Sequence, residues 1–263
     1  MDNPSGPEQP SPEPTYIRPP GIEFGRGVAT FSLVFAVFAM AQMVLLIQQV
    51  MSRTPTLAGQ GFSFSMLQDD AFQESSRELI TNGDVVAIVS LGAGLMGLMA
   101  LALLVLGWKK ARTTSFLAMQ LPRLRPFLAW TGFFVIFFVV LESLANFLPD
   151  MDSGFMKQIL GSVTNYPLLI LGVGIMPALF EEFLLRGLLY GSLRYLLDKH
   201  ASIAIISGLF ALVHPQYEWY VQLFYVLPMG IFFGYARAHT GSIWTGVFLH
   251  LLNNCVSIFL PQG

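Results

Sequence analysis

The stretch Phe180-Glu181-Glu182-Phe183-Leu184-Leu185-Arg186-Gly187 sets three charged residues inside an apolar segment that runs on from Leu168. An ionisable side chain at hydrocarbon depth costs at least about 2.5 kcal/mol, so such a cluster needs partners or a wet cavity and is the first place to look for function. On a helix Glu182 and Arg186 stand four apart on one face, acid N-terminal to base, which is the favourable order for an ion pair. Glu181 points about 100° away and has no cationic neighbour on its own helix. The spacing predicts a division of labour, with Glu182 and Arg186 as a structural pair and Glu181 as a carboxylate left for chemistry. The plainer alternative is that all three only cap or bridge the interior of a helical bundle.

Composition agrees with an apolar setting. Of 263 residues, 54% are hydrophobic and only 11% charged, with mean hydropathy +0.61. Soluble domains carry about 25% charged residues, so the chain reads as an all-α, polytopic integral membrane protein whose partner is the lipid bilayer. A net charge of -2 and a pI near 6.1 argue against nucleic acid as a partner. Cys255 stands alone, which leaves no intrachain disulfide framework, and it reads as a small apolar helix residue.

Residues 1–22 are rich in proline, including Pro4, Pro7, Pro10, Pro12 and Pro14, and predict a disordered cytoplasmic tail. Residues 23–263 then form one transmembrane domain. The first apolar run, Gly27 to Met51, is too long for a signal-peptide core and is kept as a membrane helix. Further spans are expected at Val85 to Trp108, Phe127 to Leu148, Tyr166 to Leu197, Ala201 to Val213, Trp219 to Ala238 and Ile243 to Leu260, about seven transmembrane helices in all. The fifth is short for a bilayer that needs about 20 residues. Gly187 with Gly191, and Gly230 with Gly234, have the spacing that lets helices approach closely. Arg112 to Pro126 reads as an interfacial segment, with Phe116, Leu117, Met119 and Leu121 against the headgroups.

Lys and Arg fall mainly in alternate loops. Arg18, Arg26, Lys109, Lys110, Arg112, Arg123, Arg125, Arg194, Lys199 and Arg237 lie on one side; Arg53, Arg77 and Lys157 lie on the other, beside Asp69, Asp70, Glu74, Glu78, Asp84, Asp150 and Asp152. The positive-inside rule puts the N-terminus in the cytoplasm and the C-terminus outside, across the cell (inner) membrane.

Two further polar groups stand in the last three spans. His214 ends Phe-Ala-Leu-Val-His, four residues after Phe210, and His250 and Asn254 share a helical face in His-Leu-Leu-Asn-Asn. A lone histidine on an apolar helix is usually a satisfied core residue; two of them with an asparagine and a free glutamate suit peptide-bond hydrolysis. A carboxylate beside an imidazole can take a proton from water, which is worth roughly 10²- to 10⁴-fold. His214, hydrogen-bonded to ionised Glu181, would keep that base competent in a low dielectric. The second histidine and the amide are donors for the oxyanion of a tetrahedral intermediate, where losing one costs about 10²- to 10³-fold.

Glu181-Glu182-x-x-x-Arg186, Phe210-x-x-x-His214 and His250-x-x-x-Asn254 resemble, in order and spacing, the motifs of the CPBP family of CAAX protease and bacteriocin-processing enzymes, which is similar to the Rce1-type prenyl protease. The resemblance covers about residues 166–260, the motif-bearing core. It implies a glutamate-type intramembrane endopeptidase in which Glu181 with His214 activates water, His250 and Asn254 stabilise the oxyanion, and Glu182 and Arg186 support the first motif. It requires no metal or other cofactor. The substrate would be a peptide or protein end, C-terminally modified in the eukaryotic precedent.

Other readings compete. Glu181, His214 and His250 would make a three-ligand site for a zinc-dependent membrane protease, although no His-Glu-x-x-His is present. A serine enzyme would need Ser207, two turns from His214 on its own helix. A non-catalytic scaffold or immunity protein could keep the fold without turnover. A transporter could use Glu142 and Glu181 as a proton relay, although Glu142 reads better as an interfacial or bundle-bonded residue. His200 and His239 read as solvated loop residues.

Overall fold

The computed structural model describes residues 19–145 and 154–259. The main helices are α1 (Pro20–Arg53), α2 (Asp70–Leu79), α3 (Gly83–Lys109), α4 (Leu124–Ala145), α5 (Gly154–Ser162), α6 (Tyr166–Leu193), α7 (Lys199–Leu212), α8 (Trp219–Thr240) and α9 (Ile243–Phe259). No strand occurs among the described residues. Five spans, α1, α3, α4, α6 and α8, are long and apolar enough to cross a membrane, while α7 and α9 are shorter apolar helices. The fold is a polytopic helical membrane bundle; among the described residues five of the seven expected spans reach full length, and α7 and α9 stand where the other two were expected.

The helix ends follow local chemistry. Pro20 opens α1, where its missing N–H is no loss. Asn82 and Asn165 cap α3 and α6 by accepting from Val85 N and Leu168 N, each at 3.1 Å. Asp84 accepts from Thr164 N and Asn165 N at 3.0 Å, which ties the start of α3 to the start of α6.

Two apolar clusters meet on α6. Phe180, Phe183, Leu184 and Leu188 face α1, α3 and Ile243 of α9; Leu185, Leu189, Tyr190 and Leu193 face α4, α7 and α8. That makes α6 the axis of the bundle. Leu33 and Met40 of α1, Leu103 of α3, and Phe133 and Ile136 of α4 point outward, as lipid-facing side chains do. The glycine pairs act as expected, Gly230 and Gly234 letting α8 lie against Ser207 and Ile203 of α7.

Several expectations change. Helix α1 already includes Pro20 to Ile22, with Pro19 just before it, while residues 1–18 of the proline-rich tail lie outside the described residues, as do the expected span ends at Leu148 and Leu260. Leu117 is buried in the core cluster, with Phe116 and Met119 packed against it, and only Leu121 of that group is well exposed. The segment turns inward because Met119 O accepts from Trp244 Nε1 at 2.7 Å and Gln120 O from Ser242 Oγ at 2.6 Å. Arg237 is buried in the last turn of α8, over the Tyr190 ring, not in a loop. His200 and His239 are exposed but helical, and His200 Nδ1 lies 2.6 Å from the Tyr235 hydroxyl. The short helices α2 and α5 were not expected.

Candidate active site

Helix α6 carries both glutamates through irregular winding. Pro177 has no N–H to donate, and wide i→i+5 turns occupy Ile170–Ile175 and Glu182–Leu189 on either side of it. The expected ion pair survives this winding: Arg186 Nη1 donates to Glu182 Oε1 at 2.9 Å, and both side chains are fully buried. Arg186 Nη2 donates to Gly230 O at 3.0 Å, and the guanidinium lies 4.5 Å over the Phe210 ring. The pair is not self-contained, because Glu182 Oε1 also accepts from His250 Nδ1 at 3.3 Å. Gly246 makes room for the carboxylate; a Cβ there would stand 2.5 Å from Glu182 Oε2.

Glu181 and His214 face each other across 3.9 Å, from Oε2 to Nε2. This exceeds a hydrogen bond, so the direct bond expected between them is absent, and the gap is one that a water can bridge. Their side chains are 20% and 16% exposed, while Oε2 itself is buried and has no hydrogen-bond partner among the described residues. His214 Nδ1 lies 2.6 Å from Phe210 O. A carbonyl only accepts, so Nδ1 carries a proton, and Nε2 is the ring nitrogen turned toward Glu181. The turn that holds His214 is pinned by Gln222 Nε2, which donates to His214 O at 3.1 Å and Tyr217 O at 2.8 Å.

The remaining two candidates have other first partners. His250 is buried, stacked on Phe233 with centroids 5.2 Å apart and turned through Nδ1 to Glu182. Asn254 Nδ2 donates to Gly174 O at 3.1 Å, a carbonyl of the wide turn before Pro177. Even so, Glu181, His214, His250 and Asn254 all line one open cavity of about 1000 Å³, with aromatic walls from Phe31, Phe35, Phe38 and Phe138. The expected structural pair and the expected site are therefore joined through His250.

Among the described residues no three His, Cys, Asp or Glu side chains are gathered as a metal-ion site; Glu181, His214 and His250 do not form the three-ligand set that a zinc enzyme needs. Ser207 is fully buried against Gly230 and is not among the cavity residues. Glu142 bonds within the bundle, accepting from the Tyr225 hydroxyl at 2.6 Å, and both residues line the cavity.

Sequence reasoning missed the roles of Gln222, Gly246 and the Phe210 ring. A polar residue near the start of an apolar helix could have flagged Gln222. The other two act only across helices, and nothing in their local sequence shows it.

An apolar bundle whose open cavity is lined by Glu181, His214 and His250, with the buried Glu182–Arg186 pair behind them, is an integral membrane protein with an ionisable interior site. Comparison with known proteins narrows the class. Residues 163–256 match the family described as type II CAAX prenyl endopeptidase Rce1-like, which is the resemblance read from the three motifs. The chain is 27% identical over 104 residues to a protein of Bacillus subtilis (strain 168) named "Putative membrane peptidase YdiL", an alignment covering 40% of this chain and 41% of that protein. The chain thus matches less than half the length of that relative. No solved structure matches.

Proposed function

We propose that this protein is an intramembrane endopeptidase that hydrolyses peptide bonds with a water activated by Glu181 and His214. The observation that carries the reading is the facing of Glu181 Oε2 and His214 Nε2 at 3.9 Å on the wall of an open cavity. A water between them donates one proton to each acceptor. As its oxygen attacks the carbonyl carbon, Glu181 takes the proton, and the carbonyl electrons move to the oxyanion. The oxyanion then collapses, the C–N bond breaks, and the proton passes from Glu181 to the leaving amine nitrogen, which gives a carboxylic acid and a free amine.

His250 and Asn254 are the oxyanion donors in this scheme. His250 Nδ1 is committed to Glu182, so Nε2 is the ring nitrogen left for the substrate, and it donates when the ring is doubly protonated. Asn254 Nδ2 donates to Gly174 O at 3.1 Å and reaches Val173 O only at 3.5 Å, so the N–H of that long contact is the one that turns to the oxyanion. The match to the Rce1-like family supports the reaction class.

The test compares new peptide ends in membranes from cells making the wild type or Glu181→Gln. The reading expects a set of ends that vanishes with the Gln variant at equal protein level. Identical sets would instead favour a non-catalytic scaffold of the same fold.

A further inference from the structure

We propose that the cavity takes its substrate from the extracytoplasmic face, so that the bonds cut belong to exposed ends or loops of membrane or exported proteins. The proposal rests on the peptidase reading for what enters and on charge and geometry for the direction of entry.

The bundle has two chemically distinct ends. One gathers the basic loops. Lys109 pairs with Glu23 at the start of α1 and donates to the Tyr195 hydroxyl beyond α6 at 3.0 Å. Gln120 Nε2 donates to Gly241 O at 2.6 Å, which brings the α8–α9 junction to the same end as Lys110, Arg112, Arg123 and Arg125. Arg194 and Lys199 bracket the α6–α7 turn there too. The other end carries Asp69, Asp70, Glu74, Glu78, Asp84 and Glu218, with Arg53, Arg77 and Lys157. The sequence counted these loops as two sets, and the hydrogen bonds above bring the members of the first together. The positive-inside rule assigns the basic end to the cytoplasm.

The cavity opens at the acidic end, and Phe31 of α1, Leu185 of α6 and Phe233 of α8 carry its floor past the middle of the bundle. Its lining includes Leu79 and Ile80 at the end of α2, Val85 and Val86 at the start of α3, Glu142 near the end of α4, and His214. No residue between Gly94 and Phe138, between Leu185 and Leu209, or between Phe233 and His250 lines it, and those stretches include the basic end.

Helix α7 supplies a measure of depth. It starts at Lys199 on the basic side and stops at Leu212, so His214 lies roughly 22 Å above that end at 1.5 Å per residue, short of a hydrocarbon core about 30 Å thick. The non-helical 213–218 segment is therefore recessed below the far surface, which is tolerated at such depth only where backbone lines a cavity or is satisfied by protein. Pro215 and Gln216 line the cavity and are exposed, and Gln222 satisfies the carbonyls of His214 and Tyr217. The shortness of α7 is thus the site's doorway. A peptide reaching Glu181 from the basic end would have to pass the fully buried Glu182–Arg186 pair and the core around Leu188 and Ile243.

The test is cysteine labelling of the full chain in intact cells with a membrane-impermeant maleimide, in a Cys255→Ser background. Gln216→Cys sits at the mouth, Glu78→Cys beside Leu79 of its rim, and Arg112→Cys at the basic end; all three positions are exposed. The proposal expects the two mouth positions to label before permeabilisation and Arg112→Cys only after it. The reverse pattern overturns the proposal, whether or not the protein cuts peptides. Loss of Glu181-dependent peptide ends with the expected labelling would sink the peptidase reading and leave the sidedness standing. Two mouth variants guard against one that does not fold, and labelling after permeabilisation shows that each is present.

Discussion

The Phe210 carbonyl oxygen lies 2.6 Å from His214 Nδ1, and this one bond within a helix end decides which imidazole nitrogen faces Glu181. Because the acceptor is backbone, ring and carbonyl have separable roles. Phe210→Ala keeps the carbonyl but removes the ring that packs on Arg186 and His250, and should cost about 3–5 kcal/mol of stability. His214→Ala should leave the melting temperature nearly unchanged and abolish cleavage. Thermal melts in detergent alongside turnover check both, and a His214→Ala protein that cuts normally removes the residue from the mechanism.

Glu182 and Arg186 are both fully buried, so removing one strands the other. Glu182→Leu and Arg186→Met should each lower stability by about 3–5 kcal/mol. The double variant should lose less than the sum, since no bare charge remains. Additive losses would mean that the two do not act as a pair.

Gly246 tests the seat of the carboxylate. Gly246→Ala would put a methyl 2.5 Å from Glu182 Oε2 and push it off His250, at a cost of about 1–3 kcal/mol and with slower turnover. Gly21→Ala, with no heavy atom within 4 Å, is the control and should change neither. Equal behaviour of the two variants would contradict the tight fit.

Asp198 gives a pH prediction outside the membrane. Its carboxylate accepts from Ala201 N and His200 N at the start of α7, and these bonds hold its pKa below the usual value. A depressed folded value means stability that is fully present above the ordinary carboxylate pKa and lost as pH falls through the lowered one. Asp198→Asn should therefore flatten the acid limb of the melting temperature against pH. An unchanged limb would show that the cap carries no such linkage.

How much could be read beforehand depends on the range of each contact. Glu182 with Arg186, the glycine pairs and the approximate spans were legible because each is a property of spacing along one helix. The His250–Glu182 bond was not, since it joins residues 68 apart and depends on how α9 meets α6. Nor was the separation of Glu181 from His214 legible, because the wide turns around Pro177 change the helical phase that a uniform period assumes. Leu117 and Arg237 misled for a related reason: residues that flank spans look interfacial until another helix packs over them.

The most direct test follows the cleavage rate of one substrate, found by mapping peptide ends, with wild-type and Glu181→Gln protein in the same bilayer. The account predicts a loss of roughly 10²- to 10⁴-fold with an unchanged melting temperature, as removal of a general base should give. A Gln variant that cuts at the wild-type rate would contradict it.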